Sequence, residues 1–199
     1  MTKPASGYKK IFWGYILSII NVSVGFLILF PSIIGWYILI KGFGEIEEDL
    51  PSQNRTLINS GLCILFTFSF LEGISPLISL DFQMLSMLLL FYPPVHMVVE
   101  LTVFHKLFES VIIRFTEMQQ VDRVDTYTTK DTRYLVISGV AVLLLTAAAT
   151  SQLTGLIVVG SLSALVSKIY MLTVIASLKN EEASAMQVSS NTETVDTAS

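Results

Sequence analysis

The chain has 199 residues, 52% hydrophobic and only 14% charged, with a formal net charge of −4. Soluble domains carry about 25% charged residues, so this composition cannot cover a water-facing surface. The acidic balance and the lack of a basic patch interleaved with aromatics argue against nucleic acid as a partner, and a lone cysteine, Cys63, leaves neither an internal disulfide nor a CxxC zinc site.

Lys9 and Lys10 precede an uncharged run of thirty residues, 11–40. A basic flank before an apolar stretch imitates a signal peptide, but the run far exceeds an h-region and lacks a small-residue cleavage site, so a retained anchor is expected. One transmembrane helix needs about 20 residues and two need about 40, so thirty fits neither count. Asn21, Ser23 and Gly25 supply a break, and Pro31 suits the first turn of a returning helix that contains Gly35. The expectation is a shallow or re-entrant helical hairpin over residues 8–46. Its non-helical tip would need a shield of protein or water, because lipid satisfies no backbone groups.

An acidic stretch with Glu45, Glu47, Glu48 and Asp49 leads to Ser52, an N-cap for a second apolar segment over about residues 53–72. Ser75 and Pro76 open the next, about 76–118, where Pro93 and Pro94 remove two backbone donors and predict a kink or break. Beyond them Phe104, Leu107, Phe108, Val111, Ile112 and Phe115 recur at helical spacing, so the stripe over 104–118 suits the membrane surface or a protein partner. A polar linker, 119–133, precedes two helices of about 132–152 and 155–178, whose short connection makes them antiparallel. Residues 179–199, rich in Ser, Thr, Ala and acid without an aromatic, read as a disordered cytoplasmic tail.

The fold class is therefore all-α: a polytopic transmembrane helical bundle of one N-terminal hairpin and four further membrane helices. Cytoplasmic loops are enriched in Lys and Arg. If residues 11–40 cross once, the basic cluster Lys106, Arg114, Arg123, Lys130 and Arg133 falls outside. If they enter and return, eleven of the twelve basic residues lie on one side, with Lys168 inside the last segment. The hairpin is favoured, with both termini cytoplasmic in a plasma membrane. Trp13, Trp36, Tyr8 and Tyr37 suit interfacial aromatic belts.

The returning half, Pro31-Ser32-Ile33-Ile34-Gly35-Trp36, resembles a segment of small, uncharacterised polytopic membrane proteins of Gram-positive bacteria. There a Pro-x-x-Ile-Gly-aromatic core follows an apolar helix near the N-terminus. Pro31, Ile34, Gly35 and Trp36 match, whereas Ser32 stands where an acidic residue often follows the proline. The likeness covers about forty residues. It implies a bacterial plasma-membrane protein and transfers no catalytic residue.

Ionisable residues at membrane depth are costly, which makes His96, Glu100 and Lys168 candidates for an ion or proton site. His96 and Glu100 share a helical face just past the prolines, and Lys168 is placed to pair with Glu100 across the bundle. The same residues could instead be structural ion pairs near the interface. His105 is nine positions from His96, on the other side of a straight helix, and no HExxH motif occurs, so no metal or cofactor is expected. Small residues at Gly160 and Ala164 favour close helix packing, within the chain or between copies in a homo-oligomer. No nucleophile–base constellation indicates an enzyme. Two readings follow: a non-enzymatic regulatory or assembly component docking through the 104–118 stripe, or a small transporter or channel-like protein handling ions or small solutes.

Overall fold

The computed structural model describes residues 3–20, 22–24, 27–29, 31–74 and 82–196. The described residues form six α-helices: α1 (Lys3–Ile19), α2 (Pro31–Ile46), α3 (Ser52–Ile74), α4 (Phe82–Glu117), α5 (Val121–Ser151) and α6 (Thr154–Asp196). Between α1 and α2 lies a two-stranded antiparallel ribbon, β1 (Val22–Val24) and β2 (Leu27–Leu29), with Val22 opposite Leu29. Three of the helices, over Ser52–Gly73, Val121–Ser151 and Thr154–Glu181, are long and apolar enough to cross a membrane. Their apolar windows are only 22–33% buried within the protein. A helix apolar all round belongs either in a large core or in lipid. Here Leu143, Leu162, Val166 and Ile169 stand exposed, so the surroundings must be apolar.

α1 and α2 approach at backbone distance through two glycine pairs. A Cβ on Gly14 would lie 2.8 Å from the carbonyl oxygen of Gly35 and 2.8 Å from the amide nitrogen of Leu39. One on Gly42 would lie 2.9 Å from the carbonyl oxygen of Gly7. Each pair of glycines on one helix is seven residues apart, two full turns, so both contacts fall on the same face. Pro31 is the first residue of α2, where its missing N–H costs nothing. Asn21 and Gly25, expected at the break, lie outside the described residues, as does the Ser75–Pro76 cap.

Polar contacts gather at one end of the bundle. Lys10 pairs with Glu45, and its ammonium, donating to that carboxylate, holds Glu45 below the usual carboxylate range. Asn54 donates to Ser110 at 3.1 Å, Tyr127 donates to Glu181 at 2.9 Å, and Lys130 donates to Ser177 at 2.9 Å. These contacts join the N-terminal halves of α1, α3 and α5 to the C-terminal halves of α2, α4 and α6. The principal core fills the same half and draws on all six helices, including Tyr15, Trp36, Leu62, Phe104, Tyr134 and Ile175. In the other half a smaller cluster joins Met97, Ala141 and Leu145, with Ala164 packed on it.

Several expectations are corrected. Of the kink or break expected at Pro93 and Pro94, the break does not occur: α4 runs through both prolines as one helix. The stripe of 104–118 is no docking surface: Phe104, Leu107, Phe108, Val111 and Phe115 are all buried in the chain's own core. Phe104 and Phe108 pack on Tyr134, and Phe115 on Tyr127. The cover is α5, because the polar linker is itself helical and only Met118–Gln120 separates α4 from α5. Val124, Tyr127, Asp131 and Tyr134 recur every three or four residues and place Tyr127, Asp131 and Tyr134 inside a polar-looking stretch. α6 likewise continues to Asp196, through residues expected as a disordered tail. Strong helix formers after Leu178, such as Glu181, Glu182, Ala183 and Met186, extend it. Trp36 and Tyr8 are core residues rather than belt residues, whereas Trp13 and Tyr37 are exposed.

Candidate functional site

Between the two clusters lies a polar layer centred on Glu100. α4 carries His96 and Glu100 one turn apart and turns both toward α1, α2 and α6. Glu100 is 1% exposed. Tyr15 of α1 donates its hydroxyl to Glu100 Oε1. Lys168 Nζ of α6 lies 3.2 Å from Glu100 Oε2, and His96 Nδ1 lies 3.5 Å from the same oxygen. Burying a carboxylate away from water is costly, and the ammonium and phenol offset that cost. His96 is itself clasped between rings: it meets Trp36 in a T-shaped contact with centroids 5.8 Å apart and Tyr92 at a tilt with centroids 5.6 Å apart.

His96 and Lys168 line a cleft of about 310 Å³, beside Ser18 and Ser32 from the hairpin, Glu72 from α3, and Tyr92. Tyr92 donates to Glu72 Oε2 at 3.0 Å, and Ser32 and Ser69 share a hydrogen bond of 2.9 Å. The lining of the cleft thus includes a cation, a carboxylate and hydroxyl groups, and its volume is in a range suited to a small ligand.

The structure brings His96, Glu100 and Lys168 together. It places His105 elsewhere, with Nδ1 3.0 Å from both carboxylate oxygens of Asp131 on α5. Gly160 is buried against Leu145, where a Cβ would lie 3.1 Å from its Cδ2 atom, and Ser138 and Ser167 share a hydrogen bond of 2.5 Å in the same α5–α6 seam. Ala164 borders the cleft. Pro93 lines it, and Gly35 sits at the hairpin contact below it. Among the described residues no group of three His, Cys, Asp or Glu side chains gathers to hold a metal ion.

Sequence reasoning did not single out Tyr15, Trp36 or Tyr92 as site residues. Tyr15 carried one usable signal: a phenol inside an uncharged run needs an acceptor at that depth. No family model, curated protein or solved structure matches the chain.

Proposed function

We propose that this protein takes a small ion or polar solute into the cleft above Glu100, as a small transporter or channel-like protein of the membrane. The observation that supports this most is the position of Glu100. It is an ionisable group enclosed by three helices and held by Lys168 directly beneath a ligand-sized cleft. Polar groups at membrane depth face cavities and solute paths. The other reading, a regulatory or assembly component, draws no support from the 104–118 stripe, whose Phe104, Leu107, Phe108, Val111 and Phe115 are buried in the chain's own core.

The membrane disposition we propose takes the Lys10–Glu45 pair as the level of the cytoplasmic surface. From there Ile11–Ile19 rises about 13 Å and Pro31–Ile40 about 15 Å at 1.5 Å per residue, roughly half of a 30 Å hydrocarbon core. The hairpin is then re-entrant. The β1–β2 ribbon pairs backbone groups at the turn, where lipid would leave them unsatisfied. α3 to α6 cross fully, and the connections 75–81 and 152–153 at the far end contain no Lys or Arg. With the resemblance of residues 31–36, this arrangement points to a bacterial plasma membrane with both termini cytoplasmic. A periplasm-dependent reporter fused after Glu48 is expected to be inactive, and one fused after Gln152 active. Activity after Glu48 would restore a single crossing and sink the hairpin.

For function, the test is flux across vesicles reconstituted with the purified protein, using a panel of ions and small polar solutes. At least one solute should move, and His96→Ala should reduce its rate at least tenfold while circular dichroism stays unchanged. An inert panel, or wild-type rates from His96→Ala, would count against the cleft as the route.

A further inference from the structure

We infer that the cleft selects a small organic cation, an alkylammonium whose carbon chain lies on the apolar part of the lining. The inference rests on the reading of the cleft as a solute site and adds the chemical class of the solute.

The charge sum selects the sign. Lys168 and Glu72 line the cleft, one from α6 and the other from α3. Lys168 is already answered by Glu100 at 3.2 Å, and that pair adds no net charge. Among the described lining residues, the fixed charge left in the sum is that of Glu72. Glu72 acts through its charge, which a hydrogen bond such as the one from Tyr92 leaves in place. An anion would add a second negative charge and find the Lys168 ammonium engaged. A cation brings the sum to zero, and surroundings that solvate charge poorly make the difference count. The Tyr92 ring favours the same sign, because an aromatic face attracts cations.

The hydrogen-bond count agrees. Ser18 gives its own proton to the Tyr15 carbonyl oxygen at 2.8 Å, and Tyr92 gives its proton to Glu72. Both hydroxyl oxygens then serve a ligand as acceptors, which suits an ammonium with three donors. Size and polarity favour an organic cation over a metal ion. About 310 Å³ is the volume of a small-molecule site, well above what one desolvated ion fills. Ile19, Met97, Leu145 and Leu165 supply an apolar surface that a bare ion would leave unused.

The test is binding of radiolabelled butylammonium and hexylammonium to the purified protein in lipid nanodiscs, with empty nanodiscs subtracted. Butanoate, hexanoate, butan-1-ol and hexan-1-ol are the anionic and neutral matches. At least one ammonium should bind roughly tenfold or more tightly than its matched anion and alcohol. An equal concentration of potassium should not displace it. Glu72→Gln, at an exposed position, should remove the preference. Glu100→Gln combined with Lys168→Met should keep it, because the pair removed carries no net charge. Equal binding of the anions or alcohols, displacement by potassium, or a preference that survives Glu72→Gln would overturn the alkylammonium while leaving the cleft as a solute site. No binding by any of the six would overturn both.

Discussion

Replacing Glu100 with alanine is expected to destabilise the protein by about 3–5 kcal/mol, the usual result of removing one member of a buried ion pair. The cost arises less from the lost attraction than from what stays behind. Lys168, with its side chain 19% exposed, would keep its charge in the bundle with no carboxylate 3.2 Å away. The Tyr15 hydroxyl would lose its acceptor in a fully buried position. The double variant Glu100→Gln/Lys168→Met removes both charges while its amide oxygen still accepts from Tyr15. It should therefore recover most of the loss. Thermal unfolding of wild type, Glu100→Gln, Lys168→Met and the double variant in one detergent closes a double-mutant cycle and measures the coupling. A Glu100→Ala protein within about 1 kcal/mol of wild type would show that the layer does not hold α1, α4 and α6 together. The double variant also separates stability from transport. It should fold and still admit a cation, because the pair it removes carries no net charge.

The helical membrane class was legible because lipid imposes a continuous local requirement: long apolar segments with internally paired backbones. The Glu100 layer was partly legible for a related reason. His96 and Glu100 are four residues apart on one helix, and Lys168 interrupts an apolar segment in which an unpaired cation is costly. Tyr15 and Trp36 were hidden because their contacts with α4 cross 85 and 60 positions of sequence, where periodicity says nothing. The stripe at 104–118 shows the limit most clearly. Its helical spacing revealed an apolar face but not its cover, which proved to be a stretch of α5 whose Asp122, Arg123 and Thr126 disguise the inward row of Tyr127, Asp131 and Tyr134. Residues 119–133 looked like a linker by composition, although their spacing already fitted a helix with a narrow buried face.

A single methyl group at Gly14 should be as informative as the loss of a charge. Gly14→Ala is expected to cost about 1–3 kcal/mol, the penalty of overpacking a close contact. The added Cβ meets backbone on both sides, the Gly35 carbonyl oxygen and the Leu39 amide nitrogen, each at 2.8 Å. No rotamer change relieves it; α1 and α2 must move apart. Gly44→Ala makes the matching control on the same hairpin, since nothing lies within 4 Å of a Cβ there. By helix propensity alone it should be neutral or stabilising by up to about 1 kcal/mol. The two substitutions add the same group, so their opposite signs isolate helix contact from intrinsic preference. The separation also reaches the site. Tyr15 and Ser18 flank Gly14 within one turn, and Trp36 follows Gly35, so widening this contact draws the Tyr15 hydroxyl away from Glu100 and the Trp36 ring away from His96. Gly14→Ala should therefore shift the fluorescence of the buried Trp36, and the Glu100→Ala cost should shrink in its background because part of the layer is already disengaged. Equal unfolding temperatures for Gly14→Ala and Gly44→Ala would mean that the hairpin helices are not in backbone contact, and that Tyr15 is held at Glu100 by the rest of the core alone.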